Sequence, residues 1–289
     1  MDNYLPLGTL APLRSAQKCR DMNEFIQQIE EKYTDTTAFI IKHKKGKDVS
    51  YTNISFHQLA EDVRALGSAF MARGYQHKRT AILADNRYEW FLTYLAVLYI
   101  GGIVVPLDKG LGYGEFESSV QRSYADNLVY DKKNSAVAVQ LKGSEGCKVS
   151  DFICIDEEGP GSFGAILQEG RELYRSGEHL LSQITIDPRA MAIILFTSGT
   201  TSLAKAVMLC QDGLVTNIYD MDLAEDVRPG DVNMAFLPYH HSFGSMGQLV
   251  MLSHGAATAF CDGLKYVQKN LVEYKVSVFV CVPLLIESL

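Results

Sequence analysis

The chain has 289 residues, of which 47% are hydrophobic and 21% are charged, and its formal net charge at pH 7 is −7. This length allows a substantial core, in one large domain or two smaller ones, and the composition is that of a globular protein. The acidic balance, with no long basic segment, argues against nucleic acid as a partner.

The cysteines and the first residues bear on the cellular compartment. Six cysteines are scattered without a Cys-x-x-Cys pair, and the N-terminus lacks the basic and apolar segments of an export signal. We therefore expect reduced thiols and a cytoplasmic location. The uncharged run 90–107 approaches the length of a membrane span, but Gly101 and Gly102 interrupt it. A core helix followed by a buried strand is the favoured interpretation.

The first half of the chain predicts a regular alternation of elements. It begins with an amphipathic helix from Met22 to about Tyr33 and a hairpin formed by residues 37–42 and 49–53. Ser55 and Gln58 have the spacing of a capping box for the next helix. The strands predicted after it are residues 79–84, 103–107, 127–130 and 152–155, and the helices are 88–100, 115–123, 134–141 and one ending near 174.

The second half continues this alternation. Its predicted strands are residues 191–196, 206–209, 233–237, 257–260 and 276–282, and its predicted helices are 212–221, 246–252 and 264–273. Apolar strands separated by helices are typical of parallel sheets covered on both faces. We therefore predict an α/β fold of stacked, mostly parallel sheets with flanking helices. We divide it into a first subdomain over residues 1–187 and a second over residues 188–289.

The segment between the predicted strands 191–196 and 206–209 is rich in hydroxyl groups. It contains Thr197, Ser198, Gly199, Thr200, Thr201 and Ser202, and Lys205 follows it. Backbone N–H groups and hydroxyls in such a loop can surround an anion, and a lysine adds a positive charge for phosphate oxygens. The pattern favours a polyphosphate cradle, with an ordinary surface hairpin as the alternative. A P-loop is disfavoured because Ala204 and Ala206 replace residues that this motif requires.

The adjacent residues His240 and His241 suggest a metal site at first sight. No Cys, Asp or Glu stands at ligand spacing nearby, which argues against one. Neighbouring residues of an extended segment point to opposite sides, so we expect the two rings to diverge.

The hydroxyl-rich loop resembles the phosphate-binding signature of the AMP-forming adenylating enzymes. That signature reads Thr-Ser-Gly-Thr-Thr-Gly, any residue, Pro-Lys-Gly. The chain matches it through Thr201 and at Lys205, and it differs at Ser202, Ala204 and Ala206. Three further segments, residues 86–90, 104–108 and 237–243, resemble the long-chain fatty acyl-CoA synthetase branch of this family.

The resemblance implies an enzyme that joins a fatty acid to ATP as acyl-AMP, releases pyrophosphate and passes the acyl group to CoA. It implies catalytic roles for Lys205, Thr201 and His241. It also implies that residues 197–202, with Lys205, hold the ATP phosphates, and that Thr201 lies near Mg²⁺. His241 is expected near the acyl carboxylate, with His240 facing solvent. Residues 244–247 are expected at the acyl tunnel, a glycine-relaxed helix start being the alternative.

Members of this family continue beyond the position at which this sequence stops. We therefore expect an N-terminal fragment of a fatty-acid–CoA ligase that is inactive alone, with fatty acid, ATP and CoA as its small-molecule partners. Peripheral contact with a membrane that supplies the acyl substrate is left open. A non-catalytic nucleotide-binding or scaffolding module and an acyl-AMP ligase that serves a carrier protein are the alternatives.

Overall fold

A computed structural model describes residues 11–177, 180–197 and 204–287. The strands are β1 (Thr37–Lys45), β2 (Asp48–Ser55), β3 (Arg79–Leu83), β4 (Ile103–Pro106), β5 (Asn127–Tyr130), β6 (Asp151–Cys154), β7 (Met191–Thr197), β8 (Lys205–Cys210), β9 (Val232–Ala235) and β10 (Ala257–Phe260). The helices are α1 (Met22–Tyr33), α2 (Phe56–Ala72), α3 (Tyr88–Tyr99), α4 (Tyr113–Ser123), α5 (Ser135–Lys142), α6 (Phe163–Arg175), α7 (Gln211–Ala224), α8 (Ser242–Ser253), α9 (Val267–Glu273) and α10 (Pro283–Glu287).

The strands form two sheets. The six-stranded sheet has the order β6-β5-β3-β4-β7-β8, and the four-stranded sheet has the order β2-β1-β10-β9. All neighbouring pairs are parallel except β1 with β2 and β7 with β8. The predicted fold class is confirmed. Each sheet takes strands from both sides of residue 187, so the predicted subdomain boundary does not separate the sheets.

Helix α3 shows how the two sheets are joined. Ten of its twelve residues are buried, because it is apolar on all sides and lies within the largest core cluster. That cluster also contains residues of both sheets and of helices α1, α2, α7 and α8. Gly101, with φ of +73°, ends the helical run and turns the chain into β4. No helix within the described ranges is long and apolar enough to span a bilayer.

The six-stranded sheet is covered on both faces, as its sequence predicts. Ile82 of β3 faces the largest core cluster, whereas its neighbours Ala81 and Leu83 face a second cluster formed with α4 and α5. This alternation follows from the two-residue period of a strand. The apolar strands therefore pack against helices on both faces of the sheet.

Two predicted elements differ from the structure. Residues 276–282 form only an isolated parallel bridge, between Val278 and Asn233, and no strand. The predicted strand 206–209 is present as β8, but it runs antiparallel to β7 at the edge of the sheet, where Val207 and Met208 are exposed. A short connection between adjacent strands permits only the antiparallel arrangement, because a parallel one requires a long crossover.

The capping box at the start of α2 is half formed. The Ser55 hydroxyl accepts the backbone N–H of Gln58 at 3.1 Å, as predicted. The Gln58 side chain does not reach back and instead donates to Asp62 at 2.9 Å. Tyr88 and Arg171 also donate to this buried carboxylate, at 2.8 Å each. Asp62 thereby ties α2 to α3 and α6.

We expect Asp62→Ala to destabilise the fold by about 3 kcal/mol, because Arg171 and Tyr88 would lose their shared buried acceptor. Glu169→Ala is the matched control. It also removes a carboxylate bound to an arginine, Arg73, but on the exposed surface, where the cost is about 1 kcal/mol or less. Urea denaturation of both variants measures the difference. Equal losses of unfolding free energy would contradict a special role for Asp62.

Candidate functional site

Three segments that follow strands meet at the carboxyl edge of the six-stranded sheet. They are the residues after β3, the residues after β4 and a turn, residues 237–241, that follows β9 of the other sheet. The carboxyl ends of parallel strands are the common place for ligands in α/β folds. The three segments quoted above for their resemblance to acyl-CoA synthetases, far apart in sequence, are therefore brought together.

The side chain of Asn86 holds the 237–241 turn by two hydrogen bonds. Its Nδ2 donates to the carbonyl oxygen of Leu237 at 2.7 Å, and its Oδ1 accepts the backbone N–H of Tyr239 at 3.0 Å. One amide thus satisfies a donor and an acceptor of the turn, as a neighbouring strand would.

Tyr239 anchors the same turn in the core. Its ring lies 5.2 Å from Trp90 and 5.1 Å from Phe91, measured between centroids, and its hydroxyl donates to Gln248 at 2.8 Å. The Gln248 amide in turn donates to Thr258 of β10 at 3.1 Å. Burial raises the pKa of Tyr239 well above its usual value, so the hydroxyl stays a neutral donor.

The His240 and His241 rings lie against each other, with centroids 4.3 Å apart. The His240 side chain is only 11% exposed, and its Nε2 lies 3.4 Å from Asp108 Oδ1. Burial lowers the pKa of His240 to about 4, so this ring is neutral at pH 7. His241 is the exposed member of the pair.

The expectation that His240 faces solvent and that the rings diverge is therefore wrong. The segment is a turn and not an extended strand, since the His241 N–H donates to the Pro238 carbonyl at 3.1 Å. A turn brings neighbouring side chains to one side. Within the described residues, no group of three His, Cys, Asp or Glu side chains could hold a metal ion.

Helix α8 begins directly after the 237–241 turn. Gly244, in the first turn of the helix, allows the helix to lie close to the backbone of Leu237 and Pro238. A Cβ atom at this position would lie 2.2 Å from the carbonyl oxygen of Pro238, which real contacts do not permit. A Cβ atom added at Gly247 would lie 3.1 Å from Cγ1 of Val280. The observed reason for Gly244 is thus close packing. Of residues 244–247, Ser245 and Met246 line the cavity described next, whereas Gly244 and Gly247 do not.

A cavity of about 480 Å³ lies beside α8. It is bordered by α3, the β7–β8 hairpin, α7 and the first turns of α8, and its apolar lining includes Tyr94, Ile193, Leu195, Leu214, Phe243 and Met246. Tyr94, Ile193 and Leu214 are buried, whereas Phe243 and Met208 also line the cavity and are 55% and 69% exposed, so these two stand at its opening. His241 directly precedes the two α8 residues at that opening, Ser242 and Phe243.

The β7–β8 hairpin connects this cavity with the predicted phosphate loop. Thr197 and Lys205 are paired across the two strands, and both are exposed. Thr197 follows Leu195 by two residues, so it lies on the same face of β7, about 7 Å beyond it. In the described part of the chain, no carboxylate pairs with Lys205, while Ser198, Gly199, Thr200, Thr201 and Ser202 lie outside that part.

Sequence reasoning missed the roles of Asn86, Asp108 and Tyr94. Asn86 and Asp108 each follow a buried strand, a position at which polar side chains often reach neighbouring loops or ligands. That signal was present in the sequence. Tyr94 gave none, because a tyrosine within an apolar helix is typical of any core.

A family profile matches most of the chain. The profile of the family described as "AMP-binding enzyme" matches residues 26–289. Long-chain-fatty-acid–CoA ligase 1 of Cavia porcellus is 25% identical over 268 residues, which cover 84% of this chain. Long-chain-fatty-acid–CoA ligase 5 of Rattus norvegicus is 27% identical over 255 residues and covers 82%. The chain spans 37% of the length of each of these relatives.

Solved structures share the fold. A long-chain-fatty-acid-CoA ligase (FadD1) from Archaeoglobus fulgidus has a TM-score of 0.78 and 19% identity, with 93% of this chain and 53% of that chain covered. The inhibitor-bound N-terminal domain of FACL13 from Mycobacterium tuberculosis has a TM-score of 0.76 and 17% identity, with coverages of 94% and 64%.

We expect Gly244→Ala to destabilise the chain by about 1–3 kcal/mol, because the new methyl group must push α8 away from the Pro238 carbonyl. Gly164→Ala is the control, since an added Cβ there meets no atom within 4 Å. The control should change stability by about 1 kcal/mol or less. Thermal unfolding of both variants decides, and a Gly244→Ala variant as stable as the parent would contradict the close approach.

Proposed function

The chain belongs to the AMP-binding enzyme family, and from this premise we propose that it supplies the N-terminal portion of an AMP-forming fatty-acid–CoA ligase. The supporting observation is one hairpin, β7–β8, that borders an apolar cavity along its strands and presents Thr197 and Lys205 at its end. An acyl chain and a polyphosphate would thus meet at one place, beside His241. The names of the relatives support a long-chain fatty acid as the acyl substrate.

The ATP phosphates would bind at the end of the hairpin. The Lys205 ammonium is a compact cation, and no described carboxylate neutralises it, so its charge is available to phosphate oxygens. Thr197 would add a hydroxyl beside it. Roles for residues 198–202 as phosphate ligands and for Thr201 near the Mg²⁺ of Mg·ATP remain proposals from the sequence signature.

The fatty acid would lie in the cavity with its carboxylate toward the opening. Apolar walls from α3, β7 and α7 match a hydrocarbon chain, whose burial contributes about 0.8 kcal/mol per methylene. The exposed His241 ring stands at the N-terminus of α8, where the unpaired N–H groups favour an anion. His240, neutral and buried behind it, adds no charge of its own to this surface.

In the proposed first step, the acyl carboxylate attacks the α-phosphate of ATP, forms acyl-AMP and releases pyrophosphate. Both reactants are anions, so the main obstacle to the reaction is their mutual repulsion and their relative placement. Lys205 reduces the repulsion at the phosphates, and the helix terminus beside His241 does so at the carboxylate. Transfer of the acyl group to the thiol of CoA would follow, with a carrier-protein thiol as the alternative acceptor.

We expect Lys205→Ala to weaken Mg·ATP binding by about 1–3 kcal/mol, the usual effect of losing one charged hydrogen-bond donor. AMP lacks the β- and γ-phosphates, so its binding should change less. Calorimetry with both nucleotides measures the difference, and Lys47→Ala, at an exposed lysine of the β1–β2 turn, serves as the control. Equal losses for ATP and AMP would contradict the phosphate role.

We expect Phe243→Glu to weaken binding of decanoate at least about tenfold, or 1.4 kcal/mol. The new carboxylate would stand at the opening of the cavity and repel the fatty-acid head group. The variant should fold, because an acidic residue is favourable in the first turn of a helix. Val139→Glu on α5 is the control, with a similarly exposed apolar residue at 69% and no place in the cavity. Decanoate binding that responds equally to both substitutions would refute the proposed acyl site.

A further inference from the structure

The 237–241 turn is covalently part of the four-stranded sheet, yet side chains from the other sheet determine where it lies. Asn86, after β3, binds the backbone on both sides of Pro238, and Asp108, after β4, lies beside His240. The two sheets therefore meet at the histidine pair through a small number of polar contacts.

The two hydrogen bonds of Asn86 require a particular type of side chain. Leu237 offers a carbonyl oxygen and Tyr239 offers an N–H, so the partner must donate and accept at the same time. An uncharged amide does both, a carboxylate can only accept, and an aliphatic side chain can do neither. Tyr239 is buried, so without Asn86 its N–H would lose its acceptor in a place where water does not readily replace it.

We propose that Asn86 is a positioning residue that holds the His240–His241 ring pair against the carboxyl edge of the six-stranded sheet. It acts through the backbone of the turn and does not itself touch the ligand. The positional part of this proposal stands on the observed contacts. Its consequence for a fatty-acid carboxylate at His241 rests on the function proposed above.

His240 provides a direct readout of the turn's position. Its pKa is low because the ring is buried, and the titratable groups that face it are Asp108, Lys109 and His241. If the turn leaves the sheet, the ring becomes hydrated and its pKa should rise from about 4 toward the ordinary value near 6.5. Between pH 4 and 6.5 the ring would then take up a proton that the parent protein excludes.

The first experiment follows the imidazole NMR signals of the 289-residue chain as a function of pH. We expect Asn86→Ala to move the His240 titration from about pH 4 toward about pH 6. Asn134→Ala is the matched control, since this amide also donates at the same sheet edge, to the Leu83 carbonyl and to Asp131, without touching the turn. In this control the His240 titration should stay where it is in the parent, whatever the change in overall stability.

A second variant covers the case in which Asn86→Ala does not fold. Asn86→Asp is nearly isosteric, and its carboxylate can still accept the Tyr239 N–H but cannot donate to Leu237. We expect the Tyr239 amide to keep most of its protection from hydrogen exchange in Asn86→Asp. In Asn86→Ala we expect the exchange of this amide to become at least about tenfold faster. An unchanged His240 titration or unchanged Tyr239 exchange in a folded Asn86→Ala variant would overturn the proposal. If Asn86→Ala does not fold, complete loss of Tyr239 protection in a folded Asn86→Asp variant would overturn it.

The ligand arm compares decanoate with decanol, which share the alkyl chain and differ in the carboxylate. We expect Asn86→Ala to weaken decanoate binding several-fold and to leave decanol binding unchanged. If the parent binds neither compound, the proposed function fails while the NMR result still decides the role of Asn86. If both ligands weaken equally, Asn86 supports the cavity as a whole, and its specific role for the histidine pair is refuted.

Discussion

The shared layer of helices between the two sheets is the constraint on which the rest of the fold depends. Parallel strands require crossover helices, and here several of these helices, α3 above all, face apolar residues of both sheets at once. A helix buried on all sides cannot leave either sheet without exposing a large apolar area. The two sheets are therefore held at a fixed separation, and the loops at their carboxyl edges meet in a fixed way.

The buried polar groups show the same principle at smaller scale. Asp62 accepts hydrogen bonds from three helices, and the Tyr239 hydroxyl is linked through Gln248 to the four-stranded sheet. Polar groups removed from water are costly unless they are paired, so each network allows only the arrangement in which its partners meet. Such networks fix the relative position of neighbouring helices and sheets. Apolar packing alone would fix that position less precisely.

The β7–β8 hairpin departs from the parallel pattern, and its position explains its proposed use. The end of the hairpin lies at the edge of the sheet and is open to solvent, so Thr197 of β7 and Lys205 of β8 are exposed although Leu195 of β7 is buried in the core. An apolar cavity and a polar end therefore adjoin within a few residues. This combination suits a reaction between an acyl chain and a polyphosphate, which need opposite environments close together.

The sequence by itself determined most of the element order and the fold class. Residues 79–84 and 127–130 are recognisable as buried strands because their run of apolar residues is visible in the sequence itself. The residues that form the turns at their ends are equally visible there. The segment 197–205 also identified the family, because it matches the family signature through Thr201 and at Lys205 with the same spacing. These signals need no knowledge of distant contacts.

Only the tertiary structure decided which strands share a sheet, that His240 is buried and His241 exposed, and that Asn86 binds the turn after β9. Each of these depends on contacts between segments far apart in the sequence, such as Asn86 and Tyr239, which are 153 residues apart. A strand has the same local sequence pattern whichever sheet it joins. The direction of a side chain in a turn likewise follows from backbone dihedral angles that residue types do not fix, so packing between the two sheets made the choice.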